Sequence, residues 1–176
     1  MTTRDRTYHP DFLAGLSEAE RDDEVAPSSA LRARIVASVQ PGHRFDGFAA
    51  RVAEIFELGR DAVGELLRAA ESPDAESWFD AAPGVRALDF DAGGRLADAH
   101  CGVVLLDVAA SFPMHHHVGD EWIFVLSGEG EDSLGHRLRP GELIRSAAGS
   151  EHEIRCVGDE ALIFLAAAVG GIRRTD

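Results

Sequence analysis

The chain has no lysine and no asparagine, one tyrosine (Tyr8) and two cysteines, Cys101 and Cys156. All 17 basic residues are therefore arginine. They stand against 31 acidic ones, a formal net charge of −14. The shortage of positive charge is even: up to residue 80 there are 9 Arg against 16 Asp and Glu, and beyond it 8 against 15. Neither part is a basic module. Such a surface repels phosphate backbones and anionic membranes, so no nucleic-acid or membrane partner is expected. Two cysteines far apart make no disulfide framework, which fits a reducing, cytoplasmic setting. No apolar run approaches the ~18 residues that span a bilayer. Met1 to Pro10 is polar, and no signal peptide is expected.

What is present divides by periodicity. Residues 1–27 read as a polar, partly mobile lead-in ending in the charge run Arg21-Asp22-Asp23-Glu24. Residues 28–82 read as an α-helical segment. Ser28 and Ser29 offer N-caps for a helix with Leu31, Ile35, Val36 and Val39 on one face. A second helix is predicted from about Phe45 to Leu58, with Gly59 as its C′ residue. A third follows, capped by Asp61, with Val63, Leu66 and Leu67 inward. Ser72-Pro73 reads as the start of a short fourth helix carrying Trp78 and Phe79. The pair from Phe48 to Ala70 has the outline of a helix-turn-helix, but its acidic balance argues for a plain hairpin covering a sheet.

From Val85 the pattern changes to short strands between Gly-rich turns, as in a sandwich or barrel. Residues 83–172 are assigned to it and 173–176 to a tail. Trp122-Ile123-Phe124-Val125-Leu126 is apolar on both faces, whereas a half-exposed antiparallel strand alternates. Ile123 and Val125 share parity with Glu121 and are expected inside. Trp122, Phe124 and Leu126 then need a cover from the helices and from a second copy, hence an expected homodimer.

The chemistry concentrates between His115 and His152. His115 and His117 leave the same face of a strand, and Glu121 keeps that parity if the strand resumes after Gly119. The stretch Gly141 to His152 brings a third imidazole. Three neutral imidazoles and one carboxylate suit a divalent transition metal. Zinc is the expected ion, with iron, manganese or nickel as alternatives. His116 has the opposite parity and should face away. His136 lies in a turn and reads as solvated. A second metal site at His100-Cys101 is the weaker alternative to none. Cys156 shares the face of His152: a small buried hydrophobe is favoured over a redox thiol lining the pocket.

The spacing His115-x-His117-x3-Glu121-x6-Gly128, followed by Gly141, Gly149 and His152, resembles the two motifs of the cupin family. Ala147 stands where that family usually has Pro, Cys156 where it has Asn, and Ala109 where it often has Gly. The resemblance implies a mainly β, double-stranded β-helix (jelly-roll) barrel whose metal ligands are His115, His117, Glu121 and His152. Phe112-Pro113-Met114-His115, Gly119-Asp120-Glu121, Ala147 to His152 and Gly170-Gly171-Ile172 look like the C-terminal cupin of ChrR-type anti-sigma factors. That narrower likeness extends upstream to Leu31-Arg32-Ala33-Arg34 and Phe48 to Val52. The His-x3-Cys-x2-Cys zinc signature of those factors is not in the sequence.

Two functions follow as expectations. One is a metal-binding protein of regulatory or sensory role, with a regulatory protein partner and oxidative stress as the signal the likeness implies. The other is a small metal-dependent oxygenase or isomerase acting on a small organic molecule. Acid–base groups are few, and Arg137, Arg139, Arg145 and Arg155 are the cations available to anchor a substrate.

Overall fold

The computed structural model describes residues 42–174. The expected lead-in, and the helix that follows it to Val39, lie outside them. A 3-10 turn (Asp46–Phe48) runs into α1 (Ala49–Phe56), and α2 spans Arg60–Ala70. Gly59 is the N-cap of α2 and not the C′ residue of α1. α1 ends instead at its C-cap Glu57, which takes the left-handed conformation at φ 51°.

The predicted fourth helix is not formed. Residues after α2 turn, and Phe79–Ala82 is instead β1. Two contacts decide it. Trp78 is buried and donates its indole N–H to the Ala69 carbonyl at 3.1 Å, which fixes the exit from α2. The Pro83-Gly84 turn then folds β1 back on β2 (Val85–Phe90), pairing Ala82 with Val85 and Phe79 with Ala87. Cross-strand pairing here overrides the local Ser-Pro helix signal.

The remaining strands are β3 (Ala99–Leu106), β4 (Ser111–His117), β5 (Glu121–Ser127), β6 (Gly130–Asp132), β7 (Arg137–Leu138), β8 (Leu143–Ser146), β9 (Glu151–Cys156), β10 (Leu162–Val169) and β11 (Ile172–Arg174). They form two sheets, ordered β1-β2-β3-β10-β5-β8 and β11-β4-β9-β6-β7, with every pair antiparallel. β11 takes in Arg173 and Arg174, pairing Arg174 with His115, where a tail was expected.

Parity sorts the apolar side chains into two cores. Ile123, Val125, Val104, Leu106, Ile154 and Phe164 fill the space between the sheets. Phe124, Leu126, Val103, Leu105, Leu165 and Ala167, on the opposite face of the same strands, pack against the helical residues Val52, Phe56, Val63 and Leu67. Phe48 meets Phe124 edge-on at 5.6 Å between ring centroids. The helices thus cover the strands that are apolar on both faces. Trp122 is only partly buried, with Arg145 over its ring. Phe124 and Leu126 are thus covered within the chain, and Trp122 is the residue of that row left for a second copy to cover.

Two motif positions show why their residues are there. Gly128 has φ 75°, and a Cβ there would run into the Ala161 carbonyl. Ala109 also takes a left-handed conformation, φ 63°, which explains why glycine suits that position.

Phe124 is fully buried between the sheet and the helices. Phe124→Ala should cost about 3–5 kcal/mol of stability, measured by urea unfolding. A loss below about 1 kcal/mol would mean that the helices do not cover this face in solution.

Candidate metal centre

His115, His117 and His152 rise from the five-stranded sheet, and Glu121 starts β5 of the other sheet. His115 and His152 are direct partners across β4 and β9. The period-two placement of His115, His117 and Glu121 sends all three side chains inward, as their parity requires. His152 lies within β9, one residue in from its start.

One donor atom from each of the four residues falls within 4.8 Å of the other three. The Glu121 carboxylate stands 3.2 Å from His117 Nε2, 3.3 Å from His152 Nε2 and 3.9 Å from His115 Nε2. Two donors each about 2.1 Å from one ion are at most about 4.2 Å apart, so these separations fit a shared ion. All four side chains are buried, Glu121 being the most accessible at 5%. His117 Nε2, His152 Nε2 and Glu121 Oε2 have no hydrogen-bond partner among the described residues. Buried polar atoms left unpaired cost about 1–3 kcal/mol each; a cation between them satisfies all three. Burial alone would raise the Glu121 pKa, but the nearby imidazoles of His115, His117 and His152 outweigh it and hold the carboxyl far below its ordinary range. The group is an anion, as a ligand must be.

Each imidazole is aimed by a contact on its other nitrogen. His115 Nδ1 is 2.9 Å from the Pro113 carbonyl, His117 Nδ1 is 3.0 Å from Ser150 Oγ, and His152 Nδ1 is 3.3 Å from Asp132 Oδ2. This leaves all three Nε2 atoms facing inward, the usual arrangement around ligating histidines. Ser150 in turn donates to the Ala147 carbonyl. Asp132 was not singled out from the sequence. Its buried carboxylate also accepts the backbone N–H of Leu134 and of His136 and meets His136 Nδ1 at 2.7 Å. Burial raises its pKa, but the bonds to His136 and His152 more than offset this and lower it. The available signal was weak: a carboxylate in a short strand, two positions from Gly130.

Asp120, also missed, joins the two motifs. It accepts the Ala148 N–H at 3.1 Å and a hydrogen bond from Arg145. The Arg145 bond, then that of Ala148, holds its carboxyl below the ordinary range. The turn carrying Glu121 is thereby tied to the turn before His152.

His116 faces out and lies 3.4 Å from Glu151. His136 is half-exposed but belongs to the Asp132 turn, so it is not simply solvated. Cys156 is buried in the inter-sheet core, its thiol donating to the Glu160 carbonyl at 3.3 Å. Cys101, not Cys156, borders the cavity that opens on the cluster, and burial pushes its thiol up to about 11. No further group of three or more His, Cys, Asp or Glu close enough to hold an ion occurs among the described residues, so His100 and Cys101 make no second centre. Arg137, Arg139, Arg145 and Arg155 do not line the cavity.

Residues 102–168 match the family model for the cupin domain, and the fold is a cupin jelly roll preceded by a short helical segment. No curated protein matches. The anti-sigma ChrR, solved in complex with SigE of Rhodobacter sphaeroides, is 26% identical, with a TM-score of 0.53; the match covers 90% of this chain and 75% of that one. An RmlC-like cupin protein from Ralstonia eutropha JMP134 is 17% identical over 56% of this chain and 66% of its own, with a TM-score of 0.49. An acetylacetone dioxygenase from Acinetobacter johnsonii is 14% identical over 57% and 72%, again with a TM-score of 0.49. The chain thus spans slightly under two thirds of the Ralstonia protein.

Asp132→Asn should weaken divalent-metal affinity about 10–100-fold, read by competition with a chromogenic chelator; unchanged affinity would remove Asp132 from the centre. The cysteines give an independent check. A thiol at about 11 leaves about one thiolate in a thousand at pH 8. Cys101 should therefore resist a disulfide reagent in the native protein and react once it is unfolded. Rapid native labelling of Cys101, located by peptide mapping, would contradict its burial.

Proposed function

We propose that this chain is a cytoplasmic metal-binding regulatory or sensory protein in which His115, His117, Glu121 and His152 hold one divalent ion, with zinc first. The carrying observation is the convergence of four buried donors, three of their atoms otherwise unpaired. The ion would supply a fixed positive charge and Lewis acidity at the floor of the barrel. The chain's own part is to hold three neutral imidazoles by their Nδ1 atoms and to keep Glu121 ionised. The regulatory reading draws support from the likeness to ChrR over 90% of the chain and from the lack of arginine among the described residues that line the cavity. A regulatory protein is the partner this reading calls for, and oxidative stress is its candidate signal.

A small metal-dependent oxygenase or isomerase is the second reading. It is favoured by one observation: His115 and Glu121 border a cavity of about 240 Å³, so a small molecule has access to the centre.

The test is metal analysis of protein purified without added metal. One divalent ion per chain is expected, and His117→Ala should lose it and lower the melting temperature, since an ion bound only by the folded state stabilises that state. Retention of both metal content and melting temperature in His117→Ala would refute the assignment. Tightly held zinc favours the sensor; iron, manganese or nickel favours the enzyme.

A further inference from the structure

The cavity that opens on the cluster has chemistry at both ends. Its floor is His115 and Glu121. Its walls are apolar, chiefly Phe112, Ile154, Phe164 and Val104. Asp89 and His100, exposed residues of β2 and β3, stand at the outer end. An apolar cavity of about 150 Å³ accepts benzene, so about 240 Å³ holds one ring with short substituents.

The register shows how this space is made. Glu121 pairs with Ala168, and Ala168 with His100, so cluster and mouth lie on one row two strands apart. At a strand spacing of ~4.8 Å, the two backbones are about 10 Å apart. In the next inward row, Asp89 pairs with Gly102 and Gly102 with Ala166. Gly102 leaves the floor between them clear: a Cβ there would lie 3.8 Å from Asp89 Oδ1. His100 packs under the β10–β11 turn, its ring 3.4 Å from where a Cβ of Gly171 would be. Neither the Asp89 carboxylate nor the His100 ring has a hydrogen-bond or ion-pair partner among the described residues.

Charge orients the occupant. A divalent ion among three neutral imidazoles and one carboxylate leaves net positive charge at the floor. Asp89 puts a negative charge at the mouth. We propose that the cavity binds a small amphoteric acid: its carboxylate at the metal, an aromatic or similarly compact apolar body between the walls, and an amine or other hydrogen-bond donor at Asp89 and His100. This rests on the metal reading above and names the class of molecule that would serve as signal or substrate. A simple apolar acid lacks the donor, and the reversed orientation would set its carboxylate against Asp89.

The test is calorimetric titration of the zinc-loaded full chain with 4-(aminomethyl)benzoate and with 4-methylbenzoate, which lacks only the amine. The amine-bearing probe should bind at least tenfold more tightly. Asp89→Asn, an exposed change that should leave the melting temperature alone, should bring it to the level of the methyl analogue. Gly102→Val, which extends into the cavity, should weaken both. Equal binding of the two probes by the unaltered protein, or binding of neither, would overturn the proposal. Zinc binding is titrated first. A chain that takes up zinc yet fails these comparisons refutes the amphoteric ligand alone; one that takes up none of zinc, iron, manganese or nickel refutes the metal reading and the carboxylate end with it.

Discussion

The arrangement turns on one anion, Glu121, enclosed by three imidazoles and almost without solvent. A buried carboxylate is costly unless it is paired, and the surrounding nitrogens approach it without completing hydrogen bonds to it. The rest of the barrel serves that constraint. One sheet delivers the three imidazoles, the other delivers the carboxylate, and Asp120 ties the two turns that set their separation. The Nδ1 contacts leave each ring one orientation. A centre assembled this way is rigid before anything binds, which lowers the cost of binding.

The helices act on the same centre from a distance. β3, β5 and β10 are packed on both faces, so they cannot shift without disturbing two cores. Glu121 begins β5, and its position is therefore fixed from the side remote from the cluster. This is also why the helical segment reads as a cover. The buried residues of α1 and α2 are those with helical spacing, and they meet the strand residues of outward parity.

Much of the site was legible because β parity is rigid: His115, His117 and Glu121 had to share a face once the strand was recognised. The four-residue set also resembled a known motif spacing. What the sequence hid was relational. Asp132 touches His152 because β6 pairs with β9, and no local pattern reports which strands will be neighbours. The Ser72-Pro73 signal was a genuine local helix start, overruled by the Trp78 bond and the Pro83-Gly84 hairpin. Cys156 shares the face of His152, and the reading as a small buried hydrophobe fits its place in the inter-sheet core. β3 instead carries Cys101 past the mouth of the cavity.

The three Nδ1 anchors differ in kind. Pro113 offers a carbonyl and Ser150 a hydroxyl, both neutral, whereas Asp132 offers a carboxylate. A carboxylate pulling on the far N–H gives an imidazole partial imidazolate character and makes it the stronger electron donor. The three histidines are therefore unequal in electronic terms. Were an ion held by His115, His117, Glu121 and His152, His152, the one imidazole with a carboxylate behind its Nδ1, would be the strongest donor of the three.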